Sequence, residues 1–444
     1  MTATPRRRVL VLAYYFPPLG GGGVQHSLKL VRYLAESGYE PFVVTGPALR
    51  RHRWAPLDAS LEAELPADLR IERIARGEPP QPGQWRDRGE RWLNLPSIWG
   101  RWWVEGSVDA ARRLPQFDIV YATMSPYESA AAGARIAVER GVPWVAGLRD
   151  PWALDEMIVY PSGLHRRFEE RTMRAALRSA DAVVMNTPEA AARVTRAFAE
   201  LAPRNIVAIT NGFDPADFAA APKPRDDRAF RIVHTGNLHT DIGEHQRRTG
   251  RLRRLVGGAV EGVDILTRSH VYLLRAVDLL LRRRPDLRDV VEVHLAGVVT
   301  GQDERVVQVH GRHAHVLGYL PHDESVDLIR TADLLFLPMH DLPPGVRATI
   351  VPGKTYEYLA SGTPILGAVP AGDARDFLLA SGRAVVCDPD DVEGMSRAIE
   401  AEIARPRGRP PFSIEGDKFL AAFERDRLAG RLAEVFDGVL GMQR

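Results

Sequence analysis

"VLVLAYYFPPLGGGGVQHSLKLVRYLAESGYEPFVVT", residues 9–45, is the stretch on which the fold reading turns. Val9, Leu10, Val11, Leu12 and Ala13 form a short apolar run rich in branched residues, which suits a strand buried on both faces of a parallel sheet. Val24, Leu28, Leu30, Val31 and Leu34 then recur at spacings close to three and four and stop at Ser37-Gly38, the pattern of an amphipathic helix closed by glycine. A second strand is expected over 41–45. Between strand and helix stand Gly20, Gly21, Gly22 and Gly23. Glycines at such a junction let a ligand reach the backbone, and the free N–H groups and dipole of the helix start favour an anion such as a diphosphate. A flexible surface loop is the alternative, since the run lacks the G-x-G-x-x-G spacing of a dinucleotide site.

The same strand-helix alternation continues outward. Further strands are expected over 119–122, 144–146, 182–185 and 206–209. "DPADFAAAPKPRDDRAF", residues 214–230, reads as a linker rich in Pro, Ala and charge. The alternation then resumes with "FRIVHTG", the helix "SHVYLLRAVDLLLRRRP", and strands at "VEVHLAG", "HVLGYL", "LLFLPM", "PILGAV" and "AVVCD". The fold class is therefore α/β with two parallel-sheet domains. Their expected bounds are 1–220 and 230–412, with 413–444 a terminal helix that crosses back to the first domain. The segment "RRTGRLRRLVGGAVEG", residues 247–262, is too long for an ordinary connection and so is either functional or mobile; its arginine-rich part, 247–254, lacks a stable apolar face and is expected to be a mobile lid or acceptor-side loop.

Bulk composition narrows the class. A chain of 444 residues with 26% charged and 45% hydrophobic residues suits a globular protein of two domains, and no apolar run is long enough to span a bilayer. The polar Met1–Arg8 segment leads straight into a strand, so no secretory signal is expected. A lone Cys387 rules out an intrachain disulfide or thiolate cluster and fits a reducing cytoplasm. A net charge of +2 gives no case for nucleic acid as partner. Arginine clusters at 6–8, 247–254 and 282–284 could face phosphate or the inner face of a membrane, or be solvated faces. Trp85, Trp92, Trp99, Trp102 and Trp103 stand among arginines in residues 83–108, suited to an acceptor side, a membrane surface or ordinary core. His234, His294, His313 and His315 have no paired metal spacing, so no zinc site is expected.

Taken together, "YYFPPLGGGGVQ", "DIVYATMSPYESA", "GVPWVAGLRDPW", "SADAVVMNTPEAAARV", "TNGFDPADF", "IVHTGNL", "VLGYLPHDESVDLIRTADLLFLP" and "VPGKTYEYLASGTPILG" resemble, in that order, the family 4 glycosyltransferases. The resemblance spans nearly the whole chain. It implies the GT-B fold, two Rossmann-like domains facing a cleft, and transfer of a hexose-type sugar from a nucleotide-diphosphate sugar, UDP-sugar first, with retention. The acceptor would be a glycan, a lipid-linked carbohydrate or a small molecule, with no cofactor and no metal. It further implies that Gly21, Gly22 and Gly23 floor the donor diphosphate, that Gly318-Tyr319 contact the base through main chain, and that Glu357 holds the ribose. A carboxylate can accept two hydrogen bonds from a vicinal diol, which gives that position a reason to be acidic.

The chain departs from the family pattern at two places. Thr349 stands where the first of two paired glutamates is usual, and Gly236-Asn237 replaces the usual Gly-Arg. Charge on the departing diphosphate must still be neutralised. Lys354, Arg268 and Arg347 are the candidates, with Lys354, Arg268 and Asp150 as the catalytic set. Arg149 and Asp150 follow a buried strand, where α/β sheets place ligand groups, and with His26 form the acceptor-side set, a structural ion pair or a surface histidine being the alternatives. Asn211-Gly212 reads as a structural turn. Two other readings share the fold: a UDP-N-acetylglucosamine 2-epimerase, and a non-catalytic nucleotide- or glycan-binding relative.

Overall fold

A computed structural model describes residues 6–48, 56–74, 79–80, 89–90, 92, 95, 97–201, 205–223, 225, 227–310, 313–405 and 412–441, with backbone only at 251–254. The chain forms two compact units, one of residues 1–211, 256–258 and 425–444, the other of 212–255 and 259–424.

The first unit runs β1 (Arg7–Leu12), α1 (Gly22–Glu36), β2 (Tyr39–Thr45), β3 (Arg70–Arg73), α2 (Ile98–Arg113), β4 (Ile119–Met124), α3 (Ser129–Arg140), β5 (Trp144–Leu148), α4 (Gly163–Ser179), β6 (Ala182–Met185), α5 (Pro188–Ala197) and β7 (Asn205–Ala208). Its strands form one parallel sheet in the order β3-β2-β1-β4-β5-β6-β7. Strand residues alternate between two cores, as the period of two requires. Leu10 and Leu12 join Phe42, Val44 and Val120 on one face, while Val9 and Val11 face the other with Val43, Tyr121 and Val145.

The second unit runs β8 (Phe230–Thr235), α6 (Thr240–Leu255), α7 (Val271–Arg283), β9 (Val291–Ala296), α8 (Gly301–Val309), β10 (Ala314–Gly318), α9 (His322–Thr331), β11 (Leu334–Pro338), α10 (Lys354–Ser361), β12 (Ile365–Ala368), α11 (Asp373–Ala380), β13 (Ala384–Cys387), α12 (Val392–Ile403) and the short α13 (Lys418–Ala421). Its parallel sheet has the order β10-β9-β8-β11-β12-β13. The chain ends in α14 (Arg425–Gly441), which belongs to the first unit. There Leu428, Leu432 and Phe436 close the second core, with Phe436 edge-on to Tyr39 at 5.4 Å. The returning segment thus begins at Arg425 and not at 413, the stretch up to Glu424 staying with the second unit.

In each sheet the first strand lies in the middle, so the order reverses beside it. The carboxyl ends at that reversal, β1 with β4 and β8 with β11, are where open α/β sheets bind ligands. Residues 247–255 are not the irregular lid expected from sequence: they continue α6. The helix lacks an apolar face of its own but is held by polar ties. Arg247 binds Asp264 at 2.5 Å and the Tyr272 hydroxyl at 2.7 Å, and Gln246 bridges to the backbone of Val263 and Ile265.

Candidate functional site

At the start of α1 the glycines have distinct duties. Gly21 is the N-cap with φ 94°, a left-handed conformation that costs a side chain dearly, and no side chain caps the first turn. A Cβ on Gly23 would run into the Arg149 guanidinium, whereas one on Gly22 would meet nothing within 4 Å. The free N–H groups of this helix start therefore adjoin an arginine.

Arg149 and Asp150 follow β5, as the sequence suggests, and His26 on α1 joins them. His26 is half-buried, pushed down to about 3 by burial and then by the Arg149 and Arg425 cations, against an opposing hydrogen bond with Asn211. Its imidazole is neutral at neutral pH. Burial, chiefly, also lowers Arg149, with Asp150 and Tyr121 opposing. Several buried polar atoms here lack a hydrogen-bond partner among the described residues: Arg149 Nε, Asn186 Oδ1 and Thr210 Oγ1. All three follow the carboxyl ends of β5, β6 and β7. Native proteins rarely leave such groups unpaired, and a polar ligand at this rim would satisfy them. Asn211, read from sequence as a turn residue, thus stands in the same cluster as His26. Asn186 was not singled out, because only the closed sheet brings it to the rim.

Trp152 is a second residue that pattern reading passes over. Its φ of 47° is the left-handed region, an uncommon state for a bulky side chain and one costing of order 1–3 kcal/mol. It stacks on Tyr127 with ring centroids 4.8 Å apart and planes 1° from parallel, and its Nε1 donates to Glu169 at 3.1 Å. Among the five tryptophans expected at an acceptor or membrane face, Trp103 is core, donating to Ser129 at 3.1 Å, and Trp99 and Trp102 pack against it half-buried. Trp92 is 71% exposed, and Trp85 lies outside the described residues.

The second unit assembles its candidates more tightly. Lys354 opens α10 and its Nζ lies 3.0 Å from His234 Nε2 on β8. His234 Nδ1 is 3.1 Å from the Phe336 carbonyl, which can only accept, so Nδ1 carries the proton and Nε2 offers its lone pair to the lysine. Burial and the neighbouring lysine hold His234 well below its ordinary value. Lys354 is itself pushed down to about 7, by burial first and the Arg268 cation second, while Glu357 one turn along opposes. The amine is thus poised between its charged and neutral forms at neutral pH.

Gly236 lies against this lysine: with φ 91°, a Cβ there would sit 3.0 Å from Nζ. Gly236 N–H donates to Ala296 at 2.7 Å, and Gly297 N–H donates to Gly318 at 2.7 Å. Consecutive strand ends are thereby laced together, with Asn237 half-buried and Tyr319 36% exposed beyond them. Tyr358, buried, receives the Thr235 N–H on its hydroxyl at 2.8 Å and fixes α10 against β8. Arg347 is occupied differently, paired with Asp376 at 2.6 Å. Thr349 is buried. Sequence spacing offers His234 only as a metal ligand without a partner; its contact with Lys354 is made by the seating of the α10 start against β8, which no local spacing reveals.

Comparison with known proteins agrees with this architecture. Residues 21–212 match the model described as a glycosyl transferase 4-like domain, and residues 264–404 match glycosyl transferases group 1. Glycogen synthase of Mycobacterium tuberculosis is 26% identical over 206 residues, 45% of this chain and 40% of that enzyme, so the chain aligns with less than half of its relative's length. Among solved structures, sucrose-phosphate synthase from Thermosynechococcus elongatus superposes with a TM-score of 0.64 at 14% identity, covering 98% of this chain and 100% of the other. Anabaena HepE in complex with UDP and glucose gives 0.57 at 15% identity, covering 97% and 100%.

Proposed function

We propose that this chain, a glycosyltransferase of GT-B fold whose residues 21–212 match a glycosyl transferase 4-like domain and 264–404 match glycosyl transferases group 1, moves a sugar from a UDP-sugar to a glycan, lipid-linked or small-molecule acceptor with retention of configuration. The observation that carries the reading is the second unit's grouping of Lys354, His234, Gly236, Arg268 and Glu357 about the carboxyl end of β8. UDP-glucose bound to a neighbour of the same fold supports the choice of donor.

In the reaction the bond between the anomeric carbon and the diphosphate oxygen breaks, its electron pair leaves with UDP, and an acceptor hydroxyl oxygen bonds to that carbon as its proton passes to the departing diphosphate and on to solvent. Negative charge grows on the diphosphate. Lys354 and Arg268 would stabilise it, and groups that bind more tightly as charge develops are those that speed the step. A lysine at about 7 takes up a proton as the anion arrives, so its charge appears where it is needed. With two protein cations in this role, no metal is required. Glu357 would hold the ribose hydroxyls and Gly318-Tyr319 the base. Gly21, Gly22 and Gly23 with Arg149, Asp150 and His26 would serve the first unit's part, on the diphosphate and acceptor side.

The test is release of nucleoside diphosphate from a panel of UDP-sugars with and without acceptors, with the anomeric configuration of the product read by NMR. Acceptor-dependent release with a retained anomer supports the proposal. Conversion of the donor sugar without acceptor would make the protein an epimerase, and UDP binding without any turnover would make it a non-catalytic relative.

A further inference from the structure

We propose that Glu292, His294 and His315 form a binding site for a borderline divalent transition ion, zinc being the type case, on the edge of the second unit's sheet. Glu292 and His294 are two residues apart on β9, so their side chains share one face, while Val291, Val293 and Leu295 between and beside them are buried in the core. His315 lies on β10 directly opposite His294 in the parallel register. The result is two imidazoles and a carboxylate whose ligand atoms all lie within 4.8 Å of one another. Sequence spacing hides the set, because a cross-strand pair is separated by twenty-one positions that carry no motif.

The chemistry of the set is that of a metal centre rather than of an ordinary ion pair. His294 Nε2 and Glu292 Oε2 already point at each other at 2.9 Å, and the two imidazole rings are 5.2 Å apart. An ion would replace the proton held between nitrogen and carboxylate, releasing it to solvent. Ligands around a tetrahedral zinc are about 3.3 Å apart, so side-chain rotations closing about 1.5 Å suffice. Two nitrogens and one oxygen suit zinc, nickel or copper and not magnesium or calcium. Water would complete the coordination. Arg231 approaches Glu292 at 3.6 Å, but its charge is engaged by Asp227 at 2.5 Å.

Position suggests the role. Among the described strands β10 is an edge strand, bonded to β9, and it ends at Gly318, directly before Tyr319. All three ligands precede the carboxyl ends of their strands, so the ion would clamp the edge strand and take no part in sugar transfer. The inference is independent of the proposed activity.

Calorimetric titration of the tag-free, chelator-treated full chain with zinc chloride tests it. The expected result is one equivalent bound with a Kd of about 10 μM or tighter, and a melting temperature raised by a few degrees at saturation. His294→Ala and His315→Ala should each weaken binding at least about tenfold and abolish the thermal shift, with unchanged circular dichroism. His313→Ala, adjacent but outside the set, should bind as the parent does. Absence of stoichiometric binding in the parent, undiminished binding in the His294→Ala/His315→Ala double variant, or equal loss in His313→Ala would overturn the assignment.

Discussion

Nucleotide binding should weaken as pH rises above 7, and Lys354 should be the reason. Its amine is brought from an ordinary 10.5 to about 7 by burial and by Arg268, so in the free protein it is half charged at pH 7 and about 1% charged at pH 9. An anionic diphosphate favours the charged form, and binding above pH 7 must therefore draw a proton from solvent. The dissociation constant of UDP should rise toward tenfold per pH unit, up to about fiftyfold between pH 7 and 9, flattening once the pH passes the raised value in the complex. His234, held well below neutrality, does not titrate in this window. Calorimetry at pH 7.5 to 9 in buffers of different ionisation enthalpy measures both the affinity and the proton taken up, in a range where the phosphates are already ionised. In Lys354→Met the uptake should vanish and the profile flatten. Without nucleotide the sign reverses: the unfolded chain keeps its proton up to 10.5 while the folded one releases it near 7, so this group makes stability rise with pH across that interval. Lys354→Met should therefore melt a few degrees higher than the parent at pH 7. A pH-independent Kd, or the same slope in Lys354→Met, would refute the reasoning.

Other substitutions separate the roles. Glu357→Gln keeps shape but loses charge-assisted hydrogen bonds worth about 1.5–3 kcal/mol, so UDP should bind about ten- to a hundredfold more weakly by calorimetry. Gly22→Ala meets open space and should fold normally, losing turnover only if a ligand needs that backbone, whereas Gly23→Ala must displace Arg149 and should impair both melting temperature and activity. His26, at about 3 when folded against 6.5 unfolded, gives stability that is lost as pH falls from 6.5; chemical denaturation of His26→Gln should show a pH slope shallower by up to about 1.4 kcal/mol per unit between pH 6 and 4.

Both sheets were legible in the sequence because their central strands are short continuous apolar runs, as at Val9–Ala13 and Leu334–Pro338. β3 was not, since "RIER" at the sheet edge has two exposed or half-exposed arginines and no apolar run. The helix over 247–255 was misread because its support comes from Asp264 and Tyr272, which are distant in sequence, rather than from a stripe on its own surface. Among the candidate residues, local sequence placed Lys354 and Glu357 on one helix turn and Arg149 at a strand end. It could not supply His234 beside Lys354, Asn186 and Asn211 at the rim, or the left-handed Trp152, since each depends on register or backbone conformation.

The central claim is that UDP leaves a donor sugar with its charge taken up by Lys354. Steady-state release of UDP from the best donor and acceptor pair, parent against Lys354→Met at pH 7.5, tests it most directly. A fall in kcat of about a hundredfold or more, exceeding the change in donor KM, is the predicted result. Equal turnover by the two proteins, or no release from any UDP-sugar, would contradict it.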